Sequence, residues 1–235
     1  MSANDIWNDE DWTLQARHIV EKLNEFPKSS KIIMILRHSY RNSSDDMWEL
    51  AGMKLTEVGH EIARKFGSLL PIDRKIQLYY SPIERCKETA EDIFTGFQSI
   101  GGTGEFKHSL KELFDVGMNA DLFFKQIVKY PYADFLHRWA AGLYSKNVIF
   151  PFETYCQDAA RVIWNQTQDS PDKSIFINVT HDLITLSLRL GWFGLSPDDY
   201  WPDFMGGFAF AINDEDILLL DHDGFKSVDF PFWWK

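Results

Sequence analysis

An α/β fold, a three-layer α/β/α sandwich around a mostly parallel central sheet, is the architecture this chain predicts. Three observations predict it. Short apolar runs alternate with segments of helical periodicity along most of the chain. Two of the runs, the wholly apolar Ile32-Ile33-Met34-Ile35-Leu36 and Ser174 to Thr180 with Ile175, Phe176, Ile177 and Val179, suit strands covered on both faces. Each run stops at a polar cluster, Arg37-His38-Ser39-Tyr40-Arg41 after the first and His181-Asp182 after the second. In open α/β sheets ligands bind at that edge, beyond the carboxyl ends of the strands.

The elements follow in order. Leu14 to Phe26 places Ile19, Val20, Leu23 and Phe26 on one helical face, and Pro27-Lys28-Ser29-Ser30 turns the chain into the first strand. Asn42 to Met53 is mixed and polar, a loop over the strand end. Thr56 and Glu57 open a helix that carries Ile62, Ala63, Phe66, Leu69 and Leu70 inward, and Pro71 follows its end. Gln77 to Tyr80 is a short strand. Pro82, as a first helical residue, starts a helix with Cys86, Thr89, Ala90 and Ile93 facing in. Gly101-Gly102-Thr103-Gly104 is a turn with no Lys-Ser/Thr pair after it, so it is not a phosphate loop. Residues 119–150, rich in Phe, Tyr and Trp, read as two helices broken at Pro131. Glu153 to Gln168 is a helix, Leu183 to Leu190 is another that ends at Gly191, and Phe208 to Ile212 with Ile217 to Leu220 close the sheet. The whole chain, 1–235, reads as one domain, with 101–150 as a helical lid or insertion.

Composition narrows the function. The 235 residues are 45% apolar and 25% charged, as in an ordinary globular domain. The formal net charge of -11 disfavours nucleic acid and anionic membrane as partners, since no basic field would steer them in. It also sets Arg37, Arg41 and Arg85 apart from an acidic background. Cys86 and Cys156 offer no disulfide framework. No apolar leader stands at the acidic N-terminus and no run of 18 apolar residues occurs, so a cytoplasmic protein is expected. No histidine or cysteine spacing suits a metal, and no cofactor is expected.

Two guanidiniums beside an imidazole suit a dianion with a nucleophile in its midst. Three segments carry such residues past strand ends: Arg37 to Arg41, Ser81-Pro82-Ile83-Glu84-Arg85, and Thr180-His181-Asp182. With Leu55-Thr56-Glu57-Val58-Gly59, they resemble the histidine phosphatase superfamily, the phosphoglycerate mutase-like or histidine acid phosphatase group, over about Ile32 to Ile212. The resemblance implies a phosphoglycerate mutase-like sandwich and roles for particular residues. His38 would be the nucleophile that forms a phosphohistidine. Arg37, Arg41 and Arg85 would clamp the phosphoryl oxygens, and His181 would donate to one of them. One branch of the superfamily protonates the leaving group with the Asp after the second histidine, here Asp182. The other uses a Glu beyond the Ser-Pro-x-x-Arg segment, where Glu112 stands. Both remain open. Ser39 departs from the family's usual Gly at that position.

The expected activity is a metal-independent phosphomonoesterase acting on a small phosphate ester or a phosphoprotein. A phosphomutase is the alternative within the same chemistry; it would keep its phosphohistidine from water. A module that binds phosphorylated ligands without turnover is the alternative outside it. That module would need the arginines but neither histidine.

Overall fold

The computed structural model describes residues 2–44, 46–117, 119–168 and 170–234. Its strands are β1 (Ile32–Arg37), β2 (Lys75–Tyr80), β3 (Gly104–Ser109), β4 (Ser174–Thr180), β5 (Gly207–Ile212), β6 (Ile217–Asp221) and β7 (Gly224–Val228). Its α-helices are α1 (Ala3–Asp9), α2 (Leu14–Lys22), α3 (Met47–Gly52), α4 (Glu57–Gly67), α5 (Glu84–Ser99), α6 (Ala120–Ile127), α7 (Tyr132–Ala140), α8 (Phe152–Trp164) and α9 (Asp182–Phe193). One seven-stranded sheet has the order β3-β2-β4-β1-β5-β6-β7. Its first four strands are parallel, and β5, β6 and β7 continue it antiparallel. The sheet is therefore mixed, with a parallel core flanked by helices.

Period-two alternation sorts β1 between two cores. Ile32, Met34 and Leu36 pack toward α1, α2, α4 and α5. Ile33 and Ile35 face the opposite layer, built from α6 to α9. All six β1 residues are buried, which is why the sequence shows a continuous apolar run there instead of alternation. Burying each large side chain such as Phe66, Phe176 or Phe210 stabilises the fold by about 1.5–3 kcal/mol relative to exposure.

Two helices lie backbone to backbone on the first layer. A Cβ on Gly67 of α4 would sit 2.0 Å from the Ile93 carbonyl oxygen, and one on Gly96 of α5 would sit 2.0 Å from that of Arg64. The missing side chains allow this approach, and it holds α5, which carries Arg85, against α4.

Several boundaries differ from those the sequence predicts. Asn42 to Met53 includes the short helix α3. Helix α5 begins at Glu84 with Ile83 extended at its cap, so Pro82 lies in the preceding turn. Leu69 falls beyond α4 and is exposed. Gly191 lies inside α9, because a side chain there would strike the Cys156 sulfur 2.2 Å away. The turn that ends α9 falls to Gly194, at φ 67°. Within 101–150, Gly104–Ser109 forms the edge strand β3, and the helices α6 and α7 follow on either side of Pro131. The aromatic tail packs Trp233 and Trp234 against the core that contains Trp164. Among the described residues, no helix is long and apolar enough to cross a membrane.

Candidate active site

Three strands deliver their carboxyl ends to one place, and backbone hydrogen bonds tie the ends together. Past β1, the His38 N–H donates to the Thr180 carbonyl at 2.8 Å. Past β2, the Ser81 N–H donates to the Val179 carbonyl at 2.8 Å. The Arg37 N–H reaches the Gly206 carbonyl at 2.8 Å. His38, Ser81 and His181 therefore sit on extensions of a rigid ladder. The two histidines border a cavity of about 150 Å³ that Arg41, Arg85 and Asp182 also line, with apolar residues beyond.

The hydrogen bonds of His38 define its tautomer. Arg85 Nε–H lies 3.0 Å from His38 Nε2, and a guanidinium can only donate, so Nε2 offers its lone pair. The proton is then on Nδ1, which donates to the Ser39 carbonyl at 2.8 Å. The basic nitrogen faces the arginine and the opposite side of the ring is anchored to backbone. The same reasoning fixes His181. Its Nδ1 accepts from Arg85 Nη2 at 3.1 Å, so Nε2–H donates to the Ser81 hydroxyl at 3.0 Å. The two imidazoles are 5.5 Å apart and roughly perpendicular.

Burial is the chief reason both histidines are held well below their ordinary pKa. The charges around them push in the same direction: His181, Arg85 and Arg37 act on His38, and the three arginines on His181. Both rings are therefore neutral near pH 7. The arginines show the same crowding. Burial lowers both Arg41 and Arg85; Arg85 and Arg37 then push Arg41 down further and Arg37 does the same to Arg85, while Asp182 partly offsets the effect on each.

Each arginine is held differently. Arg85 spans the site, with Nη1 donating to the Leu50 and Ala51 carbonyls at 3.2 and 3.0 Å. Arg41 lines the cavity; its Nη1 donates to the Asn42 carbonyl, while its Nε is buried and has no partner among the described residues. Arg37 sits behind the wall. Its Nη1 donates to the Pro202 carbonyl at 2.9 Å, its Nη2 pairs with the Asp182 carboxylate at 2.9 Å, and its guanidinium lies over the Phe204 ring at 4.2 Å.

Asp182 is the first residue of α9, with His181 as the cap. One carboxylate oxygen accepts from the Leu183 N–H at 2.8 Å and the other pairs with Arg37. Glu112 lies in a single 3-10 turn, Lys111–Leu113, and does not line the cavity; its backbone carbonyl accepts from the Tyr155 hydroxyl. Ser39 is buried and points away from the cavity. Its hydroxyl donates to the Gly59 carbonyl at 2.7 Å, and its N–H donates to the Thr89 hydroxyl at 3.0 Å. The serine thus fastens the loop after His38 to α4 and does not crowd the site. Cys86, next to Arg85, is fully buried and its thiol is pushed up to about 12 by that burial, so it remains a thiol.

Two contributors stand apart from the residues singled out in the sequence. Ser81 positions His181, and only its place in the Ser-Pro-x-x-Arg segment could have marked it. Tyr132 brings a phenol to the cavity near Asp182, Arg37 and Arg41, and burial first, then Asp182, raise its pKa. As one of many aromatics in 119–150 it carried no signal of its own.

Residues 33–210 match the sequence model of the histidine phosphatase superfamily (branch 1). The chain belongs to that superfamily. Solved structures with the same fold include the alpha-ribazole phosphatase from Shigella flexneri, 18% identical with a TM-score of 0.51 over 84% of this chain and 96% of that one. The phosphoserine phosphatase from Entamoeba histolytica, solved with 3-phosphoglyceric acid, is 16% identical with a TM-score of 0.51 over 85% of this chain and 96% of that one. A comparison with curated protein sequences finds no match. For a member of this superfamily, the neutral His38 with its lone pair turned into an arginine-lined cavity is the central geometric fact.

Proposed function

We propose that this protein is a phosphomonoesterase that works through a covalent phosphohistidine on His38. The observation that carries the reading is the tautomer: Nε2 is unprotonated, faces the cavity, and has its ring held from behind by the Ser39 carbonyl. A dianionic phosphate draws the Arg85 guanidinium onto its oxygens, which frees the Nε2 lone pair to attack phosphorus in line. Arg41 offers its unpartnered Nε to a second oxygen. Arg37 adds charge and orients Asp182 through their ion pair. His181, released from Arg85, takes a proton from solvent on Nδ1, which the bound dianion favours, and donates it to a phosphoryl oxygen.

As the dianion binds, the Asp182 carboxylate takes up a proton from solvent, and as the P–O bond breaks that proton passes to the leaving oxygen. Asp182 then takes a proton from water, whose oxygen bonds to phosphorus while the N–P bond breaks. Phosphate leaves, and the Nε2 lone pair is restored. Asp182 is favoured over Glu112 because its carboxylate borders the cavity. No metal enters this scheme, since arginines supply the positive charge.

The test is hydrolysis of p-nitrophenyl phosphate with EDTA present, beside His38→Ala. Turnover in the parent protein, a burst of p-nitrophenol, and at least a 1000-fold loss in the variant are expected. Activity retained in His38→Ala would remove the covalent route. Turnover abolished by chelation would remove metal independence.

A further inference from the structure

The walls of the cavity divide into two kinds. At one end stand the arginines, the histidines and Asp182. Away from them the walls include Ile83, Phe114, Val116, Phe123, Ile127 and Ile184. Among the described lining residues, the Tyr132 phenol is the only other polar side chain, and it lies near Asp182 and Arg41 at the phosphate end. Nearby carbonyls are engaged: those of Leu50 and Ala51 by Arg85, and that of Val116 by the Phe150 N–H. A hydroxyl, ammonium or carboxylate on the leaving group would find few partners there, and burying it unpaired is costly.

This apolar wall is also held in place. Val116, Phe123, Ile127 and Ile184 are buried members of the core formed by α6 to α9. Phe123 meets Phe135 edge to face at 5.6 Å, and Phe114 meets His181 edge to face at 5.4 Å. A well-packed wall does not easily reshape itself around a polar guest. The volume of about 150 Å³ includes the phosphate end, so beside a phosphoryl group the apolar part has room for no more than about one benzene ring.

We infer that the substrates are phosphate monoesters of an apolar alcohol or phenol about one aromatic ring in size. Polyols, sugars and amino-acid alcohols fall outside that class. The inference rests on the phosphatase reading above and adds the identity of the group beyond the ester oxygen.

The experiment compares kcat/KM for benzyl phosphate, glycerol 3-phosphate and phosphoserine. All three release a primary alkoxide, so leaving-group reactivity is closely matched and the pocket decides. Benzyl phosphate is expected to lead by about 100-fold. Ile127→Asp should cut that preference at least tenfold while changing vanadate affinity less than threefold; Val116→Thr, nearly isosteric, repeats the test should Ile127→Asp fail to fold. A further pair, phenyl phosphate and a phosphotyrosine peptide, shares a phenol leaving group. A peptide advantage of tenfold or more assigns the ring to a protein side chain, and the reverse assigns it to a free small molecule. Glycerol 3-phosphate or phosphoserine matching benzyl phosphate, with turnover still lost in His38→Ala, overturns the inference and leaves the phosphatase reading standing. Neither turnover nor vanadate binding would overturn both.

Discussion

The two carboxylates that compete for one role can be separated by the leaving group. An alkyl phosphate needs its oxygen protonated, whereas p-nitrophenolate departs largely unaided. Asp182→Asn is therefore expected to lose at least about 100-fold in kcat on benzyl phosphate and far less on p-nitrophenyl phosphate. Glu112→Gln should stay within threefold on both, and a leaving-group-dependent loss there would transfer the role to Glu112. The buried histidines make a second prediction. Both are lowered from 6.5, chiefly by burial, so below about pH 6.5 the unfolded chain binds protons that the folded chain refuses. Stability should be fullest above that pH. It should fall as the pH drops toward the folded pKa values, with a slope of about 1.4 kcal/mol per pH unit for each histidine. Urea midpoints between pH 7.5 and 5.5 should fall less steeply in His38→Ala than in the parent; equal slopes would contradict the buried neutral state. That these side chains gather at one sheet edge was legible in the sequence, because a strand that ends in Arg-His or His-Asp can only present those residues at its carboxyl end. Which partner each side chain takes was not legible. Arg37 turns back to Asp182 and Phe204, residues that only the assembled fold brings near, and Glu112 lies just far enough along its turn to miss the cavity.

At the scale of elements, the site depends on how closely α4 approaches the loop after β1. Thr56 caps α4 by accepting from the Gly59 N–H at 3.1 Å, and its own N–H donates to the Tyr40 carbonyl at 3.1 Å. A Cβ on Gly59 would stand 2.2 Å from that same Tyr40 oxygen. Gly59→Ala must push helix and loop apart, and a loss of about 1–3 kcal/mol is expected from overpacking. The same displacement would loosen the Ser39–Gly59 bond, so vanadate affinity should fall as well; an unchanged affinity would show that this contact does not position His38. Elements with strong patterns, such as β1, β4 and α8, were readable because burial on both faces or on one stripe imprints itself on the sequence. β3 and β7 were not. They are edge strands, and Glu105, His108 and Ser109 on β3 and Ser227 on β7 leave no regular apolar signature.

The molecule as a whole is joined across its antiparallel half by one buried ion pair. Arg189 on α9 grips Asp221 on β6 with two hydrogen bonds, at 2.9 and 2.7 Å, and stacks over Tyr200 at 4.7 Å. Burial alone would raise the Asp221 carboxyl, but the bonds and charge of Arg189 outweigh it and hold the group down at about 2. Removing one partner leaves the other charged and unpaired, so Asp221→Ala should cost about 3–5 kcal/mol by urea denaturation. A loss below 1 kcal/mol would mean that solvent reaches Arg189. Asp221 also lies near His222 and Asp223, the one metal-like grouping among the described residues, but none of the three borders the cavity. The sheet order carries a consequence for how the chain assembles. β1 has no sequence-adjacent partner: Ile32 sits between Ile175 of β4 and Ala211 of β5. Pairings that distant close slowly, because a long loop must be ordered before any contact rewards it. On a ribosome, the segment bearing His38 emerges before either of its partners and then waits, apolar on both faces, until β4 and β5 have followed. The strand that carries His38 is made well before the two strands that enclose it.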